Sequence, residues 1–342
     1  MNQWSPHTVP SDPGTEWVKD AEIAIDAPPD AEVDPAPEAT WPAEAPRDGL
    51  YGAVTPQIVR LADGAYRMYY TQILPRPGFP HGAIDYSNAT TRILSATSPD
   101  GSTWQPEAGV RLSAREGGAG DFRVVAPEVV PIPDGSGRLR MYFECCPGAQ
   151  SVASSIRSAV STDGLDWEVE PGDRLTGGDG SYNAPRVIFL DDGSCRLYCS
   201  DRTEGIVSAV SDDGLMFRLE PGRRIVREVE YEAHTAFAPE VLRIEGGGYR
   251  MYYGGYSDST RAYVLTAASD DGLVWRKHAD PVIVPGGRYD AAKCSEMGVM
   301  QLPEASGQPP RYRMFYEACD GTATDERGVW RILSATSAVA GT

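Results

Sequence analysis

The sequence predicts an all-β protein: a five-bladed β-propeller with four antiparallel strands per blade, the last blade closed by the N-terminal strand. Three observations predict it. A hairpin phrase, Ser-x-Asp-Gly-x-x-aromatic, recurs along the chain. An Ala-Pro-x-Val strand recurs between its copies, and a further copy of the hairpin phrase stands at the N-terminus, where a closing strand is needed. Self-similarity at a period of tens of residues marks a repeat architecture, in which each unit buries its faces against its neighbours.

The hairpin phrase reads SPDGSTW from Ser98, STDGLDW from Ser161, SDDGLMF from Ser211 and SDDGLVW from Ser269. An alternating apolar stretch precedes each copy (TRILSAT, SIRSAV, GIVSAV, AYVLTAA) and another follows (VRLS, DRLT, RRIV, PVIV). Asp-Gly between two such runs signals a tight turn, since both residues tolerate the positive φ that the turn requires. These runs are the third and outer strands of a unit. The second strand is aromatic: YRMYYTQ, LRMYFECC, CRLYCSD, YRMYYGG and YRMFYEAC. The first reads GAVTPQIV, VVAPEVV, YNAPRVI, AFAPEVL and SEMGVMQL, which sets the inner strands near 53–60, 124–131, 182–189, 236–243 and 295–302.

The last unit ends at its third strand, VWRILSATSAVAGT. Its outer strand lies at the other end of the chain, where SDPGTEWVKDAEIAI (11–25) aligns with SDDGLVWRKHADPVI (269–283). Closure of this kind removes two exposed sheet edges that would otherwise pair with other chains. Residues 26–46, rich in Pro, Ala and acids, read as an extended connector from that outer strand to the first inner strand. The whole chain, 1–342, is read as one domain.

Composition narrows the function. A formal charge of −18 with no Lys/Arg block argues against nucleic acid or an anionic membrane as partner. The N-terminus lacks a basic start followed by an apolar run, so a cytoplasmic location is expected, and the six cysteines are expected to be reduced and mostly buried. They form no Cys-x-x-Cys pair, and no two histidines are spaced as a metal pair. No metal site or cofactor is expected, although a cation bound in the channel stays open.

The first strand of each blade lines the central channel. Just after the proline position the five inner strands place Gln57, Glu128, Arg186, Glu240 and Gly298 in one register. Arg186 is expected to pair with Glu128 and Glu240 from the neighbouring blades, because burying charge without a partner is costly. Two readings follow: a structural ion cluster plugging the channel, or a general acid/base pair of Glu128 and Glu240. Around the mouth stand Asp48, Tyr51, Asp121, Arg123, Tyr182, Asn183, Glu232, His234, Asp290, Lys293 and Glu296 at the strand entrances. Glu144, Asp201, Arg202, Tyr256 and Glu317 leave the second strands. Carboxylates, arginines and tyrosines together suit a polyhydroxylated ligand of small-molecule or carbohydrate type.

The unit count, APEV on the second inner strand, the DDG turns and the ILSATSPDGSTW hairpin resemble the superfamily of glycoside hydrolase families 32, 43, 62, 68 and 130. The resemblance covers nearly the whole chain as architecture and implies a pocket at the channel mouth. In family 43 it would place a base before Pro on the first inner strand, a pKa-tuning Asp on the third, and an acid two places before Pro on the fourth. The corresponding residues here are Thr55, Ala184 and Phe237, none of them a carboxylate. A histidine found on the fifth blade of many members falls near Glu296.

Three functions are therefore carried forward. The first is an enzyme acting on a sugar, glycoside or similar molecule through non-standard residues: Glu128 and Glu240, supported by Arg186, His234 and Asp201. Gln57, Asp121, Arg123, Tyr182, Asn183, Glu144, Arg202, Tyr256, Glu296 and Glu317 would contact the ligand. The second is a non-catalytic propeller that binds a glycan or a protein. The third is a propeller recruited to another small-molecule reaction, a cyclisation or elimination. Fold alone does not choose among them, and the oligomeric state is not encoded in any of these features.

Overall fold

The computed structural model describes residues 7–26, 51–75, 89–114, 123–147, 153–176, 180–201, 205–303, 308–321 and 329–338. Apart from a single 3₁₀ turn, Glu230–Glu232, the regular structure among them is β-strand. No helix among the described residues is long and apolar enough to cross a membrane.

The strands form five antiparallel groups in chain order. The first holds Tyr51–Arg60, Tyr66–Pro75 and Ala89–Ser98, with short outer pieces Gln105–Pro106 and Leu112–Ser113. The second is Arg123–Pro131, Leu139–Cys146, Ser155–Ser161 and Glu168–Glu170. The third is Tyr182–Phe189, Cys195–Asp201, Gly205–Ser211 and Phe217–Leu219. The fourth is Thr235–Ile244, Tyr249–Asp258, Arg261–Ser269 and Arg276–Lys277. In the fifth, Lys293–Gln301, Tyr312–Cys319 and Val329–Ser337 are followed by Trp17–Ile25, which pairs antiparallel with Val329–Ser337 from Trp17 opposite Ser337. The connector at 27–46 and Asp48 lie outside the described residues.

Each inner strand carries a β-bulge, and in the first four an X-Pro step is its cause. Thr55, Ala126, Ala184 and Ala238, each followed by proline, have φ near +50° (53, 53, 49 and 51). The register shifts there, between Val54 and Gln57, Val125 and Glu128, Asn183 and Arg186, and Phe237 and Glu240. Proline has no N–H for the ladder, so the strand must leave its partner at that point. The residue before it is held in a left-handed conformation that residues with a Cβ seldom adopt. Its freed N–H is met by the preceding group's second strand: Glu317 Oε2 takes Thr55 N (3.2 Å), Thr71 Oγ1 takes Ala126 N (3.1 Å) and Ser200 Oγ takes Ala238 N (2.7 Å).

The hairpin phrases join one group to the next. In each, serine and aspartate side chains accept the N–H groups of the turn, as Ser161 Oγ does for Gly164 (2.8 Å) and Asp163 Oδ1 for Leu165 (2.8 Å). The turn's own carbonyls are left for the neighbour. Tyr69 donates to Gly164 O, Tyr142 to Gly214 O, Tyr198 to Gly272 O and Tyr252 to Gly14 O, at 2.7–2.9 Å. Arg313 of the fifth group donates to Gly101 O of the first (2.8 Å). The hairpin aromatics pack edge-on against the same neighbours: Trp167 on Tyr69, Phe217 on Tyr142, Trp275 on Tyr198, Trp17 on Tyr252 and Trp104 on Phe315. The five seams thus share one chemistry, and the inner strands pack in chain order with the fifth against the first. All six cysteines are free and buried.

The N-terminal strand supplies one seam and one outer strand at once. Asp20 receives Ser334 Oγ (2.7 Å) and pairs with Arg313 (3.3 Å), as Glu107, Glu170 and Glu220 pair with Arg67, Arg140 and Arg196 in the first three groups. Trp17→Ala should therefore cost up to about 3 kcal/mol, the low end for a buried Trp because this ring is only partly covered. Deleting residues 1–25 should give a protein that aggregates or melts far lower. Equilibrium denaturation of both proteins checks this, and unchanged curves would mean that the strand is dispensable.

Candidate functional site

Below the bulges the inner strands place Gln57, Glu128, Arg186, Glu240 and Gly298 opposite Tyr69, Tyr142, Tyr198, Tyr252 and Phe315. The four larger residues are buried and bonded to one another's strands. Arg186 Nε donates to Glu240 Oε2 (2.8 Å) and lies 3.9 Å from Glu128 Oε2. Glu128 Oε1 accepts Val187 N (3.0 Å), Glu240 Oε1 accepts Val299 N (3.1 Å), and Gln57 Nε2 donates to Val129 O (3.3 Å). Gly298 has no room for a side chain, since a Cβ would meet Pro56 O at 2.8 Å.

A residue from outside the repeat completes this floor. His7 is buried in the cluster, with Nε2 2.6 Å from Glu128 Oε1 and Nδ1 3.7 Å from Glu240 Oε1. It is carried there by Thr8–Val9, which pairs parallel with Arg243 and Ile244 at the end of the fourth inner strand. Burial alone would lower the His7 pKa, but the Glu128 carboxylate, through charge and hydrogen bond, and Glu240 overcome it and raise the value. With His7 protonated the cluster balances two carboxylates against two cations. Neither the histidine nor its pairing had a signal in the sequence, because His7 stands ahead of the first recognisable repeat phrase.

At the level of the bulges, one layer above, Glu296 is within electrostatic reach of Glu317 and Glu144. The fifth inner strand lacks the Ala-Pro phrase, and its bulge, between Ser295 and Met297, inserts Glu296. Glu296 is partly exposed as a residue, while its Oε2 is buried with no hydrogen-bond partner. Its pKa is raised well above the usual range, first by burial and then by Glu317 and Glu144, with Arg186 opposing. Glu317, opposite Ser295 on the second strand, accepts Ser295 Oγ at Oε1 (2.5 Å) and Thr55 N at Oε2. Burial lifts its pKa to about 7, against the pull of Ser295, Thr55 N–H and Lys293. Glu144 accepts a bond from Cys146 Sγ (3.0 Å).

Aromatic residues border the carboxylates. Tyr256 has its phenol held neutral by burial and by Glu317, and is linked to the Ser295 side chain. The buried Lys293 ammonium lies 5.3 Å from the Tyr256 ring and 5.9 Å from that of Trp330. Phe237 leans on Tyr256 with centroids 5.3 Å apart, and occupies the space above Gly254, where a Cβ would come within 2.6 Å of the ring. Phe237 and Gly254 are a matched pair: the glycine yields the volume that the ring fills.

The other expected mouth residues divide. Tyr182 is buried and Asn183 half-buried on the third inner strand, and Arg123 is buried at the start of the second. Asp201 is half-buried and paired through its backbone with Tyr182 and Gly205. His234 is exposed, its N–H donating to Tyr256 O (2.8 Å). Glu232 and Asp290, expected at the mouth, are instead buried behind it. Glu232 accepts Tyr253 OH and pairs with Lys277, and Asp290 accepts Tyr316 OH and pairs with Lys19. Asp121 and Arg202 lie outside the described residues, and of Tyr51 only the backbone strand is described. Among the described residues no group of three or more His, Cys, Asp and Glu side chains is arranged to hold a metal ion.

The floor predicts two measurable responses. Arg186→Met leaves two buried carboxylates without their guanidinium and should cost about 3–5 kcal/mol. Folding raises the His7 pKa, so its stabilisation is complete below its ordinary value of 6.5 and is lost as pH rises through the raised one. The stability gap between the parent protein and His7→Gln should therefore be widest in acid and narrow on the alkaline side. Urea denaturation across pH measures it, and a gap independent of pH would mean that His7 is not the titrating group.

No protein-family profile and no curated protein matches this sequence. Solved structures do match its shape. A structure titled only as a glycoside hydrolase superposes with a TM-score of 0.67 at 18% identity, over 95% of this chain and 93% of that one. A thermostable family-43 glycoside hydrolase gives 0.63 at 17% identity, over 84% and 90%. A structure from the GH130 family, described through glycoside hydrolases that target β-1,2 mannosidic linkages in Candida mannan, gives 0.65 at 13%, over 98% and 99%. Identities this low speak for the fold, and the chain has the β-propeller fold of the glycoside hydrolases it resembles.

Proposed function

We propose that the chain is a five-bladed β-propeller enzyme acting on a glycoside or a similar polyhydroxylated molecule, with Glu296 and Glu317 as its acid/base pair. The blade count is supported by the five like seams, each joining a second-strand aromatic to the next hairpin. The single observation that carries the chemistry is that the bulge residue Glu296 adjoins Ser295, the partner of Glu317 on the next strand, and that both acids have raised pKa values. Neighbouring carboxyls whose environments separate their pKa values are the usual basis for dividing acid and base roles. Glu296, with the unbonded oxygen, is suited to donate a proton to a leaving group. Glu317, near neutrality and fixed by Ser295, is suited to activate the attacking nucleophile. The Phe237–Tyr256 pair offers an apolar wall to a sugar ring.

This reading reassigns the residues first favoured for catalysis. Glu128 and Glu240 are 0% and 1% exposed; Glu240 is bonded through both oxygens to Val299 N and Arg186, and Glu128 through Oε1 to Val187 N and His7, while its Oε2 is buried 3.9 Å from Arg186 without a hydrogen bond. A substrate would have to displace that plug to reach them. They are better suited to holding the inner strands, and Arg186 with them. His234 and Asp201 are left as ligand contacts at the rim.

The test is a screen of aryl and natural glycosides, including β-1,2-mannosides and β-1,3-galactosides, followed by variants against the best substrate. Glu296→Gln and Glu317→Gln should each lower kcat by about 10²–10⁴-fold with little change in Tm, whereas Glu128→Gln should act mainly on Tm. Activity should rise as pH climbs through about 7, where Glu317 ionises, and fall again once Glu296 does. Aryl arabinofuranosides, xylosides and fructosides should be poor substrates, because Thr55, Ala184 and Phe237 stand where carboxylates would act on them. Full turnover by both Gln variants would end the acid/base assignment.

A further inference from the structure

The floor of the channel and the strand that carries Glu296 are joined by two hydrogen bonds. Arg186 Nη2 donates to Met297 O (3.1 Å), the carbonyl next to Glu296, and Glu240 Oε1 accepts Val299 N (3.1 Å) two residues on. Both bonding side chains also face Glu128 or His7. Glu240 Oε1 is the atom 3.7 Å from His7 Nδ1, and Arg186 Nε lies between the two carboxylates, 2.8 Å from Glu240 and 3.9 Å from Glu128. His7 holds Glu128 Oε1 at 2.6 Å. The guanidinium is thus bonded to Glu240 and the fifth strand while the imidazole serves Glu128.

We propose that His7 is a positioning residue for the mouth: by satisfying Glu128 it leaves Arg186 to Glu240 and the Glu296 bulge, and so sets the ionisation of Glu296. The groups that act on His7 are Glu128, Glu240 and Arg186, from the second, fourth and third inner strands. On the strand end against which Thr8–Val9 lies, Arg243 is engaged with Asp191 at the surface. Arg186 is the cation that favours the charged form of Glu296. Without the imidazolium, two carboxylates compete for one guanidinium, and the cluster beneath Glu296 becomes net negative. Each change disfavours the Glu296 carboxylate, so its proton should be held more tightly.

The proposal rests on the reading of Glu296 as a functional group, but the coupling is measurable without any substrate. The probe is the side-chain carboxyl carbon of ¹³C-glutamate-labelled full-length protein, followed by NMR through a pH titration, with Glu296→Gln and Glu317→Gln spectra assigning the two signals. In His7→Gln, which keeps a polar side chain but no charge, the Glu296 signal should titrate about half a pH unit higher, roughly threefold in proton affinity, while the distant Glu107 signal stays put. A Glu296 titration that is unmoved in a folded His7→Gln protein overturns the proposal, whatever happens to Tm. Should that variant not fold, the parent protein decides. The His7 ring carbon and the Glu296 carboxyl should share an inflection, and independent titrations refute the coupling. Full turnover by Glu296→Gln would instead remove the catalytic reading and leave this coupling standing.

Discussion

The structure depends on what the Asp-Gly turn does with its carbonyl oxygens. Inside each hairpin, serine and aspartate satisfy the turn's N–H groups, so the carbonyls point outward and are available to a neighbour. The arginine and tyrosine of the adjacent second strand take them up, as Arg140 and Tyr142 do from Asp213 O and Gly214 O. A group of four strands has two apolar faces and cannot cover both itself. The bond from turn to neighbour fixes how far each group is offset from the next, and the hairpin aromatic fills the space that this offset creates. Repeating one seam chemistry makes each step alike, and like steps are what bring the fifth group back to the first.

The same repetition sets the scale of the channel. Bulges at the X-Pro steps turn the inner strands so that the residue after proline points to the centre, and at that level the groups are close enough to share bonds. Gly298 sits where a Cβ would strike Pro56 O, so the inner strands of the fifth and first groups are in near contact. Crowding of this kind excludes water from the floor. Charges left there need partners, and Arg186, Glu128, Glu240 and His7 supply them to one another.

Much of this was legible in the sequence because it repeats. The hairpin phrase, the aromatic strand and the register of Gln57, Glu128, Arg186, Glu240 and Gly298 follow from alignment of the chain with itself. The match of residues 11–25 to 269–283 pointed to the strand that pairs with Val329–Ser337. What escaped was unrepeated. His7 precedes the first phrase and reaches the channel through two residues of parallel strand, a pairing with no pattern behind it. Glu232 and Asp290 look like mouth residues by position, yet the tyrosine behind each needs an acceptor once buried, and this draws the acid inward. Glu296 was counted among the ligand contacts because the missing proline hid its equivalence to Thr55, Ala126, Ala184 and Ala238.

That equivalence explains where chemistry can reside in a molecule built from near-copies. At four of the five bulges the residue before proline is Thr or Ala, in a left-handed conformation. The fifth strand carries Met297 where the others carry proline, and its bulge holds a glutamate. That glutamate shares the level of the bulges with Glu317, from its own group's second strand, and Glu144, from that of the second group. Symmetry of the seams therefore builds the platform, and departure from symmetry at one bulge supplies the group that differs. Burial first, and then the charges of Glu317 and Glu144, raise the proton affinity of Glu296. Arg186 beneath them opposes that shift for Glu296. The floor is thus more than a plug. It carries the one guanidinium that limits how far the acid above can be pushed toward permanent neutrality, and its own balance is kept by a histidine from the start of the chain.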